Sequence, residues 1–132
     1  MMGKDNAIFK SSWKFNLEAR TFKFAQDVFC VLKKADRSIE NQQLIKQLAR
    51  SSTSVGANYI EANNYLGKKD FLHKIGICKK ESKETMHWMR MIARATDAKE
   101  NCRILWKESQ ELTWIFSAII NKTDKNNEIS KL

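Results

Sequence analysis

Apolar residues recur at helical spacing in four stretches of the chain. Over residues 17–35 the stripe is Leu17, Thr21, Ala25 (or Phe24), Val28 and Leu32, with Phe22 and Phe29 widening it. Over residues 39–65 it is Leu44, Ile45, Leu48, Ser52, Val55, Tyr59 and Ala62. The third stretch is the most regular: Phe71, Ile75, Cys78, Ser82, Thr85, Met89, Ile92 and Thr96 alternate in steps of four and three, a heptad seam. The fourth, over residues 99–121, carries Cys102, Leu105, Ser109, Leu112, Phe116 and Ile119. The pattern predicts four helices.

Between them lie short helix-boundary signals. Asp36-Arg37-Ser38 offers a cap before the second helix, Gly67 a turn into the third, and Thr96-Asp97 a cap for the fourth. Connections this short favour antiparallel neighbours. The predicted fold class is therefore all-α, an antiparallel up-and-down four-helix bundle. Residues 1–16 read as an N-terminal arm, 17–122 as the bundle, and 123–132 as a polar, flexible C-terminal tail.

Two of the helices have more apolar surface than one seam needs. Ile77, Trp88 and Met91 flank the third seam; Trp106, Trp114, Ile115 and Ile120 flank the fourth. Either the bundle has broad core faces, or the excess is buried against another copy in a cyclic homo-oligomer.

Composition sharpens the fold class. The 132 residues include no proline and four glycines, too few for a turn-rich β protein. Cys30, Cys78 and Cys102 are odd in number, far apart and form no CxxC pair, which reads as reduced core thiols. No stretch approaches the roughly 18 apolar residues of a membrane span, and residues 1–14 lack a signal-type apolar core. The expectation is a cytoplasmic protein with no membrane partner.

The formal charge is +9, which favours an acidic partner. Opposite the third seam the residues read Lys69, His73, Gly76, Lys80, Lys83, His87, Arg90 and Arg94. Every step is three or four, and no acidic residue interrupts the row. At 1.5 Å per residue the stripe is about 37 Å long. A solvated face usually mixes signs, so a one-sign stripe suggests a binding surface for the phosphates of RNA or DNA. The alternative is the plain solvated face of a basic protein.

Catalytic signatures are missing from the sequence. His73 and His87 would lie about 21 Å apart on one helix and cannot share a metal within a chain. There is no Cys/His ligand spacing, no phosphate-binding glycine loop and no nucleophile elbow. The expectation is a protein that is not an enzyme and uses no cofactor or metal.

The second helix contains a run of small residues, Arg50-Ser51-Ser52-Thr53-Ser54-Val55-Gly56-Ala57-Asn58-Tyr59-Ile60-Glu61-Ala62-Asn63. Ser, Thr and Gly are poor helix formers, so the run makes sense where another helix comes close, at Gly56 and Ala57. Arg50, Asn58 and Glu61 form a candidate polar constellation, either a ligand or RNA contact or a network that fixes helix register.

Within this run Ser54-Val55-Gly56-Ala57-Asn58-Tyr59-Ile60-Glu61-Ala62-Asn63, with Lys68-Lys69-Asp70-Phe71-Leu72-His73-Lys74-Ile75, Cys78-Lys79-Lys80-Glu81-Ser82-Lys83-Glu84-Thr85 and Trp88, resembles the signature of the 23S ribosomal RNA intervening-sequence protein family, also called the S23 or four-helix bundle protein family. The resemblance covers roughly residues 22–120. It implies a four-helix bundle that assembles as a homopentamer. It also implies kinship with the accessory variability determinant of diversity-generating retroelements, a basic pentamer that works with a reverse transcriptase and nucleic acid. It does not imply a proven activity. The functional expectation is a pentamer binding RNA or DNA through its basic face. The alternative is a protein–protein adaptor or scaffold for a nucleic-acid-processing enzyme such as a reverse transcriptase. Gly56, Ala57, Arg50, Asn58, Glu61, Trp88 and Met91 are the candidates for interface or polar-network positions.

Overall fold

The structure is a computed structural model that describes residues 13–64 and 67–131, with side chains over 16–64 and 67–125. Among the described residues it has four helices: α1 (Trp13–Lys33), α2 (Ile39–Asn64), α3 (Lys68–Ile92) and α4 (Lys99–Lys131), with a 3₁₀ turn (Ala93–Ala95) after α3. No strand occurs among the described residues. The all-α prediction and the four predicted helices are met.

Helix ends follow local chemistry. The Ser38 carbonyl accepts the Gln42 N–H at 3.0 Å as α2 begins, and the Gly67 carbonyl accepts the Phe71 N–H at 3.1 Å as α3 begins. The third helix ends before the predicted seam does. Thr96 is in extended backbone beyond the 3₁₀ turn. It is still buried, and its Oγ1 accepts the Ala98 N–H at 3.1 Å, a turn just ahead of α4 and not a cap on the helix's own N–H groups. At the far end α4 continues to Lys131, ten residues beyond the span expected from its seam.

Cross-contacts tie α1 to α2 and α2 to α3. On α2 and α3, Glu61 meets Lys74, Val55 meets Cys78, Ser51 meets Thr85 and Arg50 meets Glu84. On α1 and α2, Glu18 meets Asn63 at one level and Thr21 faces Gly56 at the next. The α1–α2 and α3–α4 connections lie at the same end, tied by the Asp36 N–H donating to the Ala95 carbonyl at 3.0 Å.

The core is built from the predicted seams. Leu48, Val55, Tyr59, Ile75, Cys78, Met89, Ile92, Leu112 and Phe116 are fully buried. Tyr59 and Phe116 meet across it with ring centroids 6.0 Å apart. The Tyr59 hydroxyl finds no hydrogen-bond partner among the described residues, and burial pushes its pKa up to about 12. Seam serines and threonines are tolerated because their hydroxyls bond back to the preceding turn. Ser82 donates to Cys78 O, Thr85 to Glu81 O and Ser109 to Leu105 O, each at 2.8 Å.

Several flanking assignments change. Phe24, not Ala25, is the buried residue of that pair on α1, and Phe22 and Phe29 do not widen the core: they are 64% and 42% exposed. The buried face of α1 is centred on Thr21, Phe24, Val28 and Val31, which turns positions 22 and 29 outward. Of the expected surplus on the other helices, Trp88, Trp106, Ile115 and Ile120 pack against the core, Ile77 and Met91 are half-buried, and Trp114 remains exposed. Broad core faces account for most of it. Cys78 and Cys102 are core thiols, with Cys78 pushed up to about 12 by burial, but Cys30 is exposed.

Candidate nucleic-acid interface

The stripe opposite the α3 seam is built as its spacing predicts. With Ile75, Cys78, Ser82, Thr85, Met89 and Ile92 buried, the residues half a turn away must face out. Lys69, His73, Lys80, Lys83, His87 and Arg90 on α3, and Arg94 in the 3₁₀ turn, are all exposed. Among the described residues, none of these lysines and arginines lies within 4 Å of a carboxylate. Gly76 is in the same row, and a Cβ built there would meet nothing within 4 Å.

The acids of α3 explain why the face carries one sign. Glu81 is buried and turned toward α2, where Arg50 Nη1 donates to its Oε2 at 2.9 Å. Arg50 also pairs with Glu84, and the Trp88 indole N–H donates to Glu84 at 3.1 Å. Glu61 is held by Lys74 at 2.6 Å. Thus Glu81 and Glu84 of α3 and Glu61 of α2 each have a cationic partner, while Asp70 at the start of α3 is exposed.

Arg50, Asn58 and Glu61 are not brought together. Arg50 reaches across to α3, Asn58 donates to Ser54 O at 2.8 Å on its own helix, and Glu61 pairs with Lys74. Of the other interface candidates, Gly56 lies against Thr21 of α1, Ala57 is exposed, Trp88 joins the Arg50 network, and Met91 is half-buried. Sequence reasoning missed Glu81 as a buried carboxylate. A signal was present, because Glu81 sits between the seam residues Cys78 and Ser82. It also missed the clasp of Arg20 on Glu108 at 2.7 Å and Glu111 at 2.8 Å, which ties α1 to α4. A pair 88 residues apart leaves no periodic trace.

Burial would raise the Glu84 carboxyl, but hydrogen bonds from Arg50 and Trp88 outweigh this and hold it below its ordinary value of 4.5. A carboxyl depressed in the fold contributes stability above its unfolded pKa and loses it as pH falls through the folded value. Arg50→Ala removes that contribution and leaves Glu81 buried without its cation. The expected cost at pH 7 is about 1–3 kcal/mol, and the gap from the parent should narrow as pH falls below 4.5. Urea unfolding of both proteins across pH 3–7 measures it; a constant gap at every pH would show that the ion pair does not carry the effect.

Among the described residues no group of three or more His, Cys, Asp and Glu side chains is gathered as for a metal, and no helix is long and apolar enough to cross a membrane. The chain is thus a helical-bundle protein with one cationic flank. It belongs to the 23S rRNA-intervening sequence protein family, whose model matches residues 14–118. It is also similar to the crystal structure of a protein of unknown function from the S23 ribosomal protein family of Bacteroides thetaiotaomicron VPI-5482. The two share 29% identity over 78% of this chain and 96% of that chain, with a TM-score of 0.65. No curated protein matches the chain. The sequence resemblance to this family is borne out.

Proposed function

We propose that this chain is a non-enzymatic, cytoplasmic scaffold that binds RNA or DNA through the basic face of α3, as a cyclic homo-oligomer. The observation that carries the reading is the row Lys69, Lys80, Lys83, Arg90 and Arg94, exposed and without ion pairs while nearby acids are engaged elsewhere. Such a row neutralises successive phosphates and releases their counterions, with little dependence on sequence. An antiparallel, up-and-down order of the helices is supported by the opposed numbering of their contacts. It leaves the outer face of α3 open along its length.

Filter binding of mixed-sequence RNA and DNA duplexes over a salt series tests the reading. Log affinity should fall steeply with log salt, by about 0.9 for each neutralised duplex phosphate. A flat profile would overturn it and favour the adaptor reading, in which the exposed Phe22, Ile104 and Trp114 grip a nucleic-acid-processing protein.

Self-association is supported by the same exposed apolar residues, which a closed ring of identical contacts would consume without forming fibres. The family resemblance makes five the expected number of subunits. Light scattering after size exclusion at micromolar concentration should give about five times the 15.4 kDa chain mass. A single species at the chain mass would sink the oligomer.

A further inference from the structure

Where α3 ends and α4 begins, the two helices leave an open cleft of about 270 Å³, against about 30 Å³ for one water's share of the liquid. Its floor is Met89, Ala93, Cys102 and Trp106. Its cationic side chains are Arg90, Lys99 and Arg103. We propose that this cleft takes an unstacked base of a single-stranded nucleic acid, with the neighbouring phosphates on Arg90 and Arg103. The proposal rests on the nucleic-acid reading above and gives it a substrate class.

Three observations converge on this occupant. The floor is apolar and includes an indole, an aromatic face on which a base of any identity can stack. The Trp106 ring is only half-buried, so part of it is accessible from the cleft. The rim is cationic and continuous with the stripe, because Arg90 belongs to both. Arg90 has no ion pair among the described residues. Arg103 is held by Glu100 at 2.6 Å, but both side chains are more than half exposed, and an exposed pair is easily exchanged for a phosphate. Lys99 donates to the Ala93 carbonyl at 2.9 Å and closes the end of the cleft. A duplex keeps its bases stacked inside and can present only phosphates to this place. A single strand can present both groups the cleft is built to receive.

The test compares a single-stranded oligouridylate dodecamer with a mixed-sequence RNA duplex of the same length. Trp106→Leu should weaken single-strand binding about tenfold or more and leave duplex binding unchanged. Trp106→Phe, which keeps a stacking ring, should restore most of it. Arg103→Glu is an exposed change that the fold tolerates. It should weaken the single strand more than the duplex and flatten the single-strand salt slope by about 0.7, so the test stands even if leucine at 106 unfolds the protein. Normal duplex binding with single-strand binding insensitive to both positions would overturn the cleft alone. Parent protein that binds neither probe would overturn the cleft and the nucleic-acid reading together.

Discussion

Gly56→Leu is expected to lower the melting temperature sharply, because α1 approaches α2 closely at this residue and leaves no room for a branched side chain. A Cβ at Gly56 would stand 3.1 Å from Thr21 Oγ1, 3.4 Å from Thr21 Cβ and 3.8 Å from the Thr21 backbone carbon. Thr21 cannot swing aside without cost, since it is buried and its hydroxyl donates to the Leu17 carbonyl at 2.9 Å. Leucine adds three further carbons beyond that Cβ, aimed at the main chain of α1. Overpacking of this kind costs about 1–3 kcal/mol, and each kcal/mol is worth about 3–5 °C in a chain of this size. Gly76 is the control. It lies in the middle of α3 with nothing within 4 Å of a built Cβ, so Gly76→Ala should stabilise by about 0.5–1 kcal/mol. Circular dichroism melts of both variants measure the contrast. If Gly56→Leu melts with the parent, α1 is free to move off α2 and the close approach is not required.

Charge reversal of Lys80, Lys83 and Arg90 to glutamate is expected to remove most nucleic-acid binding while the fold persists. All three side chains are exposed, and none is in an ion pair among the described residues, so the variant breaks no ion pair seen there. Three lost duplex phosphate contacts should flatten the salt slope by about 2.7 for each engaged subunit. Between 50 and 200 mM salt that alone is about a 40-fold difference in how far affinity falls. Reversal adds repulsion, so at low salt the loss should exceed simple neutralisation. Glu81 and Glu84 should keep their places, since Arg50 holds them from α2. Filter binding over the salt series, with a melt to confirm folding, decides the matter. A triple variant that binds like the parent at every salt concentration would mean that the face is only solvated, and the adaptor reading would then lead.

The four helices and the seam of α3 were legible in the sequence because helical periodicity is local. A residue's place on its own helix follows from its number, so burial of Ile75, Cys78, Met89 and Ile92 and exposure of Lys80, Lys83 and Arg90 follow together. The family signature was legible for the same reason, being a contiguous pattern. Periodicity places residues on a face but leaves undecided how wide a face the neighbours will cover. Trp88 and Trp106 lie beside their seams and are partly covered; Phe22 and Phe29 lie beside theirs and are not. That difference depends on how each helix is rotated and how closely it approaches the next. At α1 the approach is set by Gly56 against Thr21, 35 positions apart in the chain. The partners of long polar side chains are decided in the same way. Arg50 shares its helix with Asn58 and Glu61, about 12 and 16 Å along the axis, and instead bonds to Glu81 and Glu84 across the interface, where a buried or half-buried carboxylate gains more from a cation than a solvated one does. The sequence by itself determined which residues share a helix face and that one of those faces is cationic. Only the packing of helix on helix decided which flanks are covered, which acids are neutralised, and where the cleft beside Trp106 opens, because these depend on distances between residues far apart in the chain.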